Sequence, residues 1–332
     1  MENFWAYLLL VLLLNPIGSA GGMDVLAAIP GAKYLFGLSA SPAGRVVALY
    51  VAKEGDGEYI LGRPTLVWLG ERGVIKTQIL PVPESLISSA SPIWSADAKS
   101  VYFHADDGIY KVLLDSSIPR IRKIVSGITE GLVLSPDEKL LAYLDWDRGK
   151  GRAHNMTSLR AVDLNTGKRA REWTLPVRYE GDKGWFNVVF GPQNSLYAKT
   201  YDEEATSPLK RFDLSTGKIE TLCSDFIDMV MTSKGLYFTP TKGKVRLLRI
   251  SPDGGQETLT APGRYNSLTL SADGHSMVGV VYETKTIYLI DVQTGSARML
   301  AKGCEDAAVL ADGTVVYSSG GKLLLNPDGC RN

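Results

Sequence analysis

The stretch Leu134-Ser-Pro-Asp-Glu-Lys-Leu-Leu-Ala-Tyr143, followed by Asp163-Leu-Asn-Thr-Gly167, reads as strand, tight turn, strand, and then a further strand closed by a second tight turn. Pro136 pre-sets the backbone angle for a turn, and Asp137 can hydrogen-bond its own backbone there. Leu140, Leu141 and Tyr143 carry the chain back into a sheet. One such unit cannot bury its own apolar face, so the architecture depends on whether it recurs.

The turn appears at Ser41-Pro-Ala-Gly44, Ser95-Ala-Asp-Ala98, Ser135-Pro-Asp-Glu138 and Gly191-Pro-Gln-Asn194. It appears again at Thr232-Ser-Lys-Gly235, Ser271-Ala-Asp-Gly274 and Leu310-Ala-Asp-Gly313, with successive spacings of 54, 40, 56, 41, 39 and 39 residues. An apolar strand follows each turn. The second turn type returns as Asp213-Leu-Ser-Thr-Gly217 and Asp291-Val-Gln-Thr-Gly295, and Ser251-Pro-Asp-Gly254 takes its place in the fifth unit. A period near 40 with four short strands per unit is the signature of a β-propeller blade. The seven anchors predict an all-β chain forming a single seven-bladed β-propeller, rather than one of six or eight blades.

Leu134–Asp137 with Leu141–Tyr143, and Ile287-Tyr-Leu-Ile-Asp291 with Thr294-Gly295, resemble the WD40-like repeats of the TolB family. Similar repeats occur in the propeller domains of prolyl oligopeptidase-type peptidases. The resemblance runs from about Tyr34 to Asp328 and implies the propeller fold. It departs from TolB in blade number, since TolB's propeller has six blades behind an N-terminal domain. The hydrolase domain of the peptidases has no counterpart in these repeats.

The composition is that of a globular protein: 332 residues, 45% hydrophobic and 22% charged. Lysine plus arginine equals aspartate plus glutamate at 36 each, so no global field argues for a nucleic-acid partner. Phe4 to Leu14 is uncharged and Gly18-Ser19-Ala20 offers a cleavage site, which reads residues 1–20 as a signal peptide despite Glu2 near its start. Eleven residues are too few to span a bilayer, which takes roughly 20. Residues 21–332 are then an exported propeller domain, periplasmic or secreted, with no span in the mature chain.

The last blade has only three strands before the chain ends, at 306–310, 314–318 and 322–325. Propellers protect their sheet edges. Met23–Ile29 is therefore predicted to supply the outer strand of blade seven and lock the ring. In that topology Cys304 and Cys330 lie at opposite ends of strands about 20 Å long, beyond the roughly 7 Å reach of a disulfide. Cys223 ends blade four, across the ring. No native disulfide is expected.

Strand alternation puts the recurring short turns on one face. The long connections fall on the other: 53–63, 80–91, 145–157, 176–184 and 201–207. Long loops on a rigid scaffold are the usual place for binding. The candidate binding residues there are Tyr59, Trp146, Arg148, Arg152, Arg178, Tyr179, Trp185 and Tyr201, aromatics and arginines of the kind enriched in protein-binding hot spots.

Catalytic patterns are scarce. No G-x-S-x-G elbow occurs, and His104, His154 and His275 are too scattered for a metal set or a nucleophile's base. Asp145-Trp-Asp147 lacks the spaced aspartates of a calcium loop, and Asn155-Met-Thr157 is a glycosylation acceptor in a suitable host. The first strands read as almost wholly apolar, which argues against a polar active site in the channel. No cofactor, metal or catalytic residue is expected. The expected role is non-enzymatic: an extracytoplasmic binding or scaffold propeller presenting its long-loop face to a protein partner in an envelope or surface complex. The alternatives are a propeller enzyme or enzyme subunit, for example one like a quinoprotein amine dehydrogenase subunit, or a ligand sensor.

Overall fold

The repeating turn is held by its own side chains. Ser95 Oγ donates to Asp97 Oδ1 at 2.7 Å and accepts the Ser100 N–H at 2.9 Å, while Asp97 accepts the Lys99 N–H at 3.0 Å. Ser135 with Asp137, and Ser271 with Asp273, repeat the set. The fourth residue of the turn is left-handed. Glycine takes that place at Gly44, Gly274 and Gly313, and Ala98 and Glu138 take it at φ of 56° and 54°. The serine hydroxyl is the buried part of the motif, so Ser135→Ala is expected to cost about 1–2 kcal/mol in urea unfolding. A null effect would mean that the backbone alone closes the turn.

This is a computed structural model of the chain, and it describes all residues except 1–23, 30, 53–60, 72, 87–90, 117, 148–154, 175–187, 193–194, 200–207, 225, 241–245, 253, 282 and 327–332. Seven antiparallel sheets follow one another around a ring. Blade one contains Tyr34–Ala40, Val46–Ala52, Leu61–Leu69 and Val74–Ile79; blade two contains Ile93–Trp94, Ser100–Ala105, Gly108–Leu113 and Arg120–Ser126. Blade three runs through Ile128–Leu134, Leu140–Asp147, Asn155–Asp163 and Arg169–Thr174, and blade four through Val188–Gly191, Ser195–Lys199, Leu209–Asp213 and Ile219–Cys223. Phe226–Thr232, Gly235–Pro240, Arg246–Ile250 and Gln256–Pro262 make blade five. Ser267–Leu270, Ser276–Val281, Thr286–Asp291 and Ala297–Lys302 make blade six.

Blade seven takes Asp306–Val309, Val315–Ser319 and Lys322–Asn326 from the C-terminal end, and its outer strand is Asp24–Ala28. Asp24 pairs with Leu325 and Ala28 with Lys322. The predicted closing strand is in place. Ile29, just beyond it, packs with Leu35, Leu323 and Leu325 in the core shared by blades seven and one.

Neighbouring blades bury the faces of each sheet, so the second strands do not alternate. Ser100–Ala105 and Ser195–Lys199 are buried at every position. A strand covered on both faces reads as a continuous apolar run. The core is accordingly divided into seven layers, one between each pair of blades; Trp173, Phe190 and Phe212 sit in the layer between blades three and four. Outer strands face water, as in Ile219–Cys223.

The connection 80–91, read from sequence as a loop, holds a two-residue strand. Ser85–Leu86 pairs with Leu61 and Gly62, extending blade one where Val74–Ile79 has ended. Of the cysteines, Cys304 is buried and Cys223 half-buried, while Cys330 lies outside the described residues. Burial pushes the Cys304 thiol up to about 12. Among the described residues no helix is long and apolar enough to cross a membrane.

Candidate functional site: the channel and its two ends

On the short-turn face the polar side chains serve the backbone. Asp163 Oδ1 accepts the N–H groups of Asn165 and Thr166 at 3.0 and 2.7 Å, and Asp213 and Asp291 do the same in their turns. These hydrogen bonds hold the carboxyls of Asp163, Asp213 and Asp291 below the usual aspartate range. The repeated aspartates are structural.

The strands that flank the long connections end together on the opposite face: Ala52 and Leu61 in blade one, Asp147 and Asn155 in blade three, and Lys199 and Leu209 in blade four. Seven of the eight sequence-predicted binding residues, Tyr59, Arg148, Arg152, Arg178, Tyr179, Trp185 and Tyr201, lie outside the described residues. Trp146 has a described backbone, paired with Ile128 and Met156 near the end of its strand. One step away, Asp145 meets the Arg160 guanidinium, which also takes Glu172 at 2.8 Å. Arg160 holds the Glu172 carboxyl below its usual range. This ion-pair network ties the three outer strands of blade three together.

Two further polar clusters were not read from the sequence. Between blades one and two, the Tyr50 hydroxyl donates to the His104 carbonyl at 3.1 Å, and Ser85 Oγ lies 2.9 Å from His104 Nδ1. Ser85 is 1% exposed and His104 4%. Burial pushes the imidazole down to about 4 and the Tyr50 phenol well up. Sealed from solvent, the Ser–His pair fastens the two-residue strand to blade two.

The second cluster corrects the reading of the channel as almost wholly apolar. Two first strands begin earlier than the apolar runs suggested, at Phe226 and Ser267, and that of blade seven opens on Asp306 as read. Four residues before each turn stand Gly37, Ser91, Gly131, Asn187, Asp228, Ser267 and Asp306, every one small or polar. Asp306 Oδ2 accepts the Leu38 N–H of blade one at 2.8 Å. Its Oδ1 accepts the Ala307 N–H at 2.8 Å and the Ser267 hydroxyl of blade six at 3.2 Å. Gly37, at φ 63°, turns its own N–H to the same carboxylate. Burial pushes Asp306 up to about 6 against these four donors. Asp228 repeats the motif, accepting the Leu268 N–H at 2.8 Å from blade five to blade six. The signal in the sequence was the fixed offset from the turn, which an apolar-run reading passes over.

At its short-turn end the channel opens into a depression of about 340 Å³. Pro42, Ile93, Trp94, Leu134, Leu270 and Val309 form its apolar wall, with Glu138 at the rim. Trp94 is fixed there by its indole N–H, which donates to the Ser39 carbonyl at 3.0 Å. The Glu138 carboxylate accepts the Ala96 N–H.

No protein-family model matches the chain, and no curated protein matches it by sequence. Solved structures do. A chain of Kuenenia stuttgartiensis hydrazine synthase is similar over 93% of this chain and 99% of its own, with a TM-score of 0.58 and 14% identity. The β-propeller domain of Cps50 (Swd1) from Myceliophteria thermophila is similar over 91% of this chain and 98% of its own, with a TM-score of 0.59 and 15% identity. The chain is a β-propeller. TolB from Acinetobacter baumannii also matches, with 17% identity and a TM-score of 0.45 over 84% of this chain and 79% of its own. At these identities the likeness is one of fold. The propeller's candidate binding surface therefore rests on its own residues: a polar channel end and the strand ends that flank the long connections on one face, and an apolar depression on the other.

Proposed function

We propose that this propeller is an extracytoplasmic binding protein that presents its long-loop face to a protein partner. One observation carries the reading. The turn carboxylates of the short-turn face are engaged by their own backbones, whereas the strands flanking the inserted segments 53–60, 148–154 and 200–207 end on the opposite face. Rigid strand ends held by ion pairs, as at Asp145 and Arg160, are a suitable base for such loops. The uncharged Phe4–Leu14 run supports export.

The test is capture of a partner from the native envelope by the chain and by a variant with Trp146, Tyr179 and Trp185 changed to alanine. The expected result is at least a tenfold loss of binding, about 1.4 kcal/mol or more. A control variant, Ala96→Arg on the short-turn face, should bind as the parent does. Binding that survives the alanine variant and fails in the control would reverse the assignment of faces.

A further inference from the structure

Blade seven is completed by the N-terminal strand, and its register fixes where the preceding residues leave the ring. The Lys322–Asn326 strand runs from the Gly320-Gly321 turn on the long-loop face to the short-turn face. Asp24 pairs with Leu325 near its end, so Asp24 lies on the short-turn face, at the outer edge of the blade. Residues 15–23 connect it to the apolar, uncharged Phe4–Leu14 run.

We infer that the short-turn face is the membrane-facing side of this propeller while residues 4–14 are attached, its partner being the surface of a lipid bilayer. The inference rests on the reading of Phe4–Leu14 as a membrane-seeking leader. For a random-coil chain of nine residues the typical end-to-end distance is about 16 Å. The strands of the ring alone are roughly 20 Å tall. A bilayer holding the leader is thus within easy reach of the short-turn face, and the ring itself stands between the bilayer and the long-loop face.

A second observation points the same way. Ile118 and Ile75 are the most exposed of the large apolar side chains described, at 76% and 74%. Ile118 lies in the third-to-fourth turn of blade two, and Ile75 is the second residue of the outer strand of blade one, just past the corresponding turn. Both turns are on the short-turn face. The apolar depression walled by Pro42, Trp94 and Leu270 opens on that face too. Apolar side chains scattered around a face that a leader already holds near lipid add to its affinity for the interface. The long-loop face is then turned outward, where a soluble partner can reach it.

The test uses the full chain, with Cys223 and Cys330 changed to serine and one fluorophore attached at Ala96→Cys on the short-turn face or at Thr284→Cys on the long-loop face. Each labelled chain is added to phosphatidylcholine vesicles containing a lipid that carries a quencher at the headgroup level. The expected result is vesicle binding by both, with quenching several-fold stronger at position 96. Equal quenching, or stronger quenching at 284, would overturn the orientation and leave the leader reading standing. Failure of the full chain to bind vesicles, as when the leader folds back onto the apolar depression, would overturn both. Ile75→Asp with Ile118→Asp should reduce the difference between the two positions, and an unchanged difference would remove the isoleucines from the account.

Discussion

A chain that begins at Gly31 is expected to unfold roughly 10 °C below one that begins at Gly21, the shift that a loss of several kcal/mol gives a domain of this size. The deleted segment forms the Asp24–Ala28 strand, whose pairs with Lys322, Leu323, Leu324 and Leu325 finish blade seven. It also carries Ile29, which is 6% exposed and shares the seam core with Leu35 and Leu323. Without it the Lys322–Asn326 strand becomes an open edge, a template for pairing with other chains. Loss of solubility should accompany the loss of stability. Calorimetry decides the matter, and an unchanged midpoint would mean that the ring holds shut without this strand.

The second large effect is expected at Asp306. Asp306→Ala removes one buried charge but orphans the N–H groups of Leu38, Gly37 and Ala307 and the hydroxyl of Ser267. Leaving several buried donors unpaired at the joint of blades six, seven and one should cost about 3 kcal/mol. The pH dependence separates this carboxyl from its opposite at His104. Asp306 sits at about 6 in the folded chain, against roughly 4 unfolded. The fold therefore holds its proton more tightly, and the contribution is full below the unfolded value and lost as pH rises through 6. His104 sits at about 4 folded, against about 6.5 unfolded. Its contribution is full above the unfolded value and lost as pH falls through 4.

Between those limits the two slopes oppose each other, and the parent should change little with pH. Asp306→Asn should lose stability steadily on acidification, whereas His104→Phe should gain it. Below this window the depressed carboxyls of Asp137, Asp163 and Asp273 take over, and stability should fall in all three chains. Urea midpoints measured across the range check the signs. Parallel profiles for both variants would contradict the buried placement of one group or the other.

The fold was legible because its information is local and repeated. Ser135, Asp137 and the left-handed residue after them close a turn with their own atoms, so the motif needs no distant partner to be recognised. Strands such as Ser195–Lys199 are covered on both faces and therefore appear as plain apolar runs. Even the long-range closure could be inferred, since a three-stranded blade leaves an open edge and Met23–Ile29 is an apolar run just past the leader. The channel was harder. Asp306 gains its role from Leu38, 268 residues away, and only its fixed offset from the turn sets it apart in the sequence from a solvated aspartate. Tyr50, Ser85 and His104 are likewise joined across two blades. The binding residues follow from the long connections that carry them and from their aromatic and guanidinium chemistry, and all but Trp146 lie outside the described residues.

The most direct test of the account is hydrogen exchange on the propeller with and without its captured partner. The account predicts added protection at the long-loop ends of the strands, in 144–147, 155–159 and 196–199, and none in the turns 95–99, 135–139 and 271–275. Protection confined to those turns, with the strand ends unchanged, would contradict it.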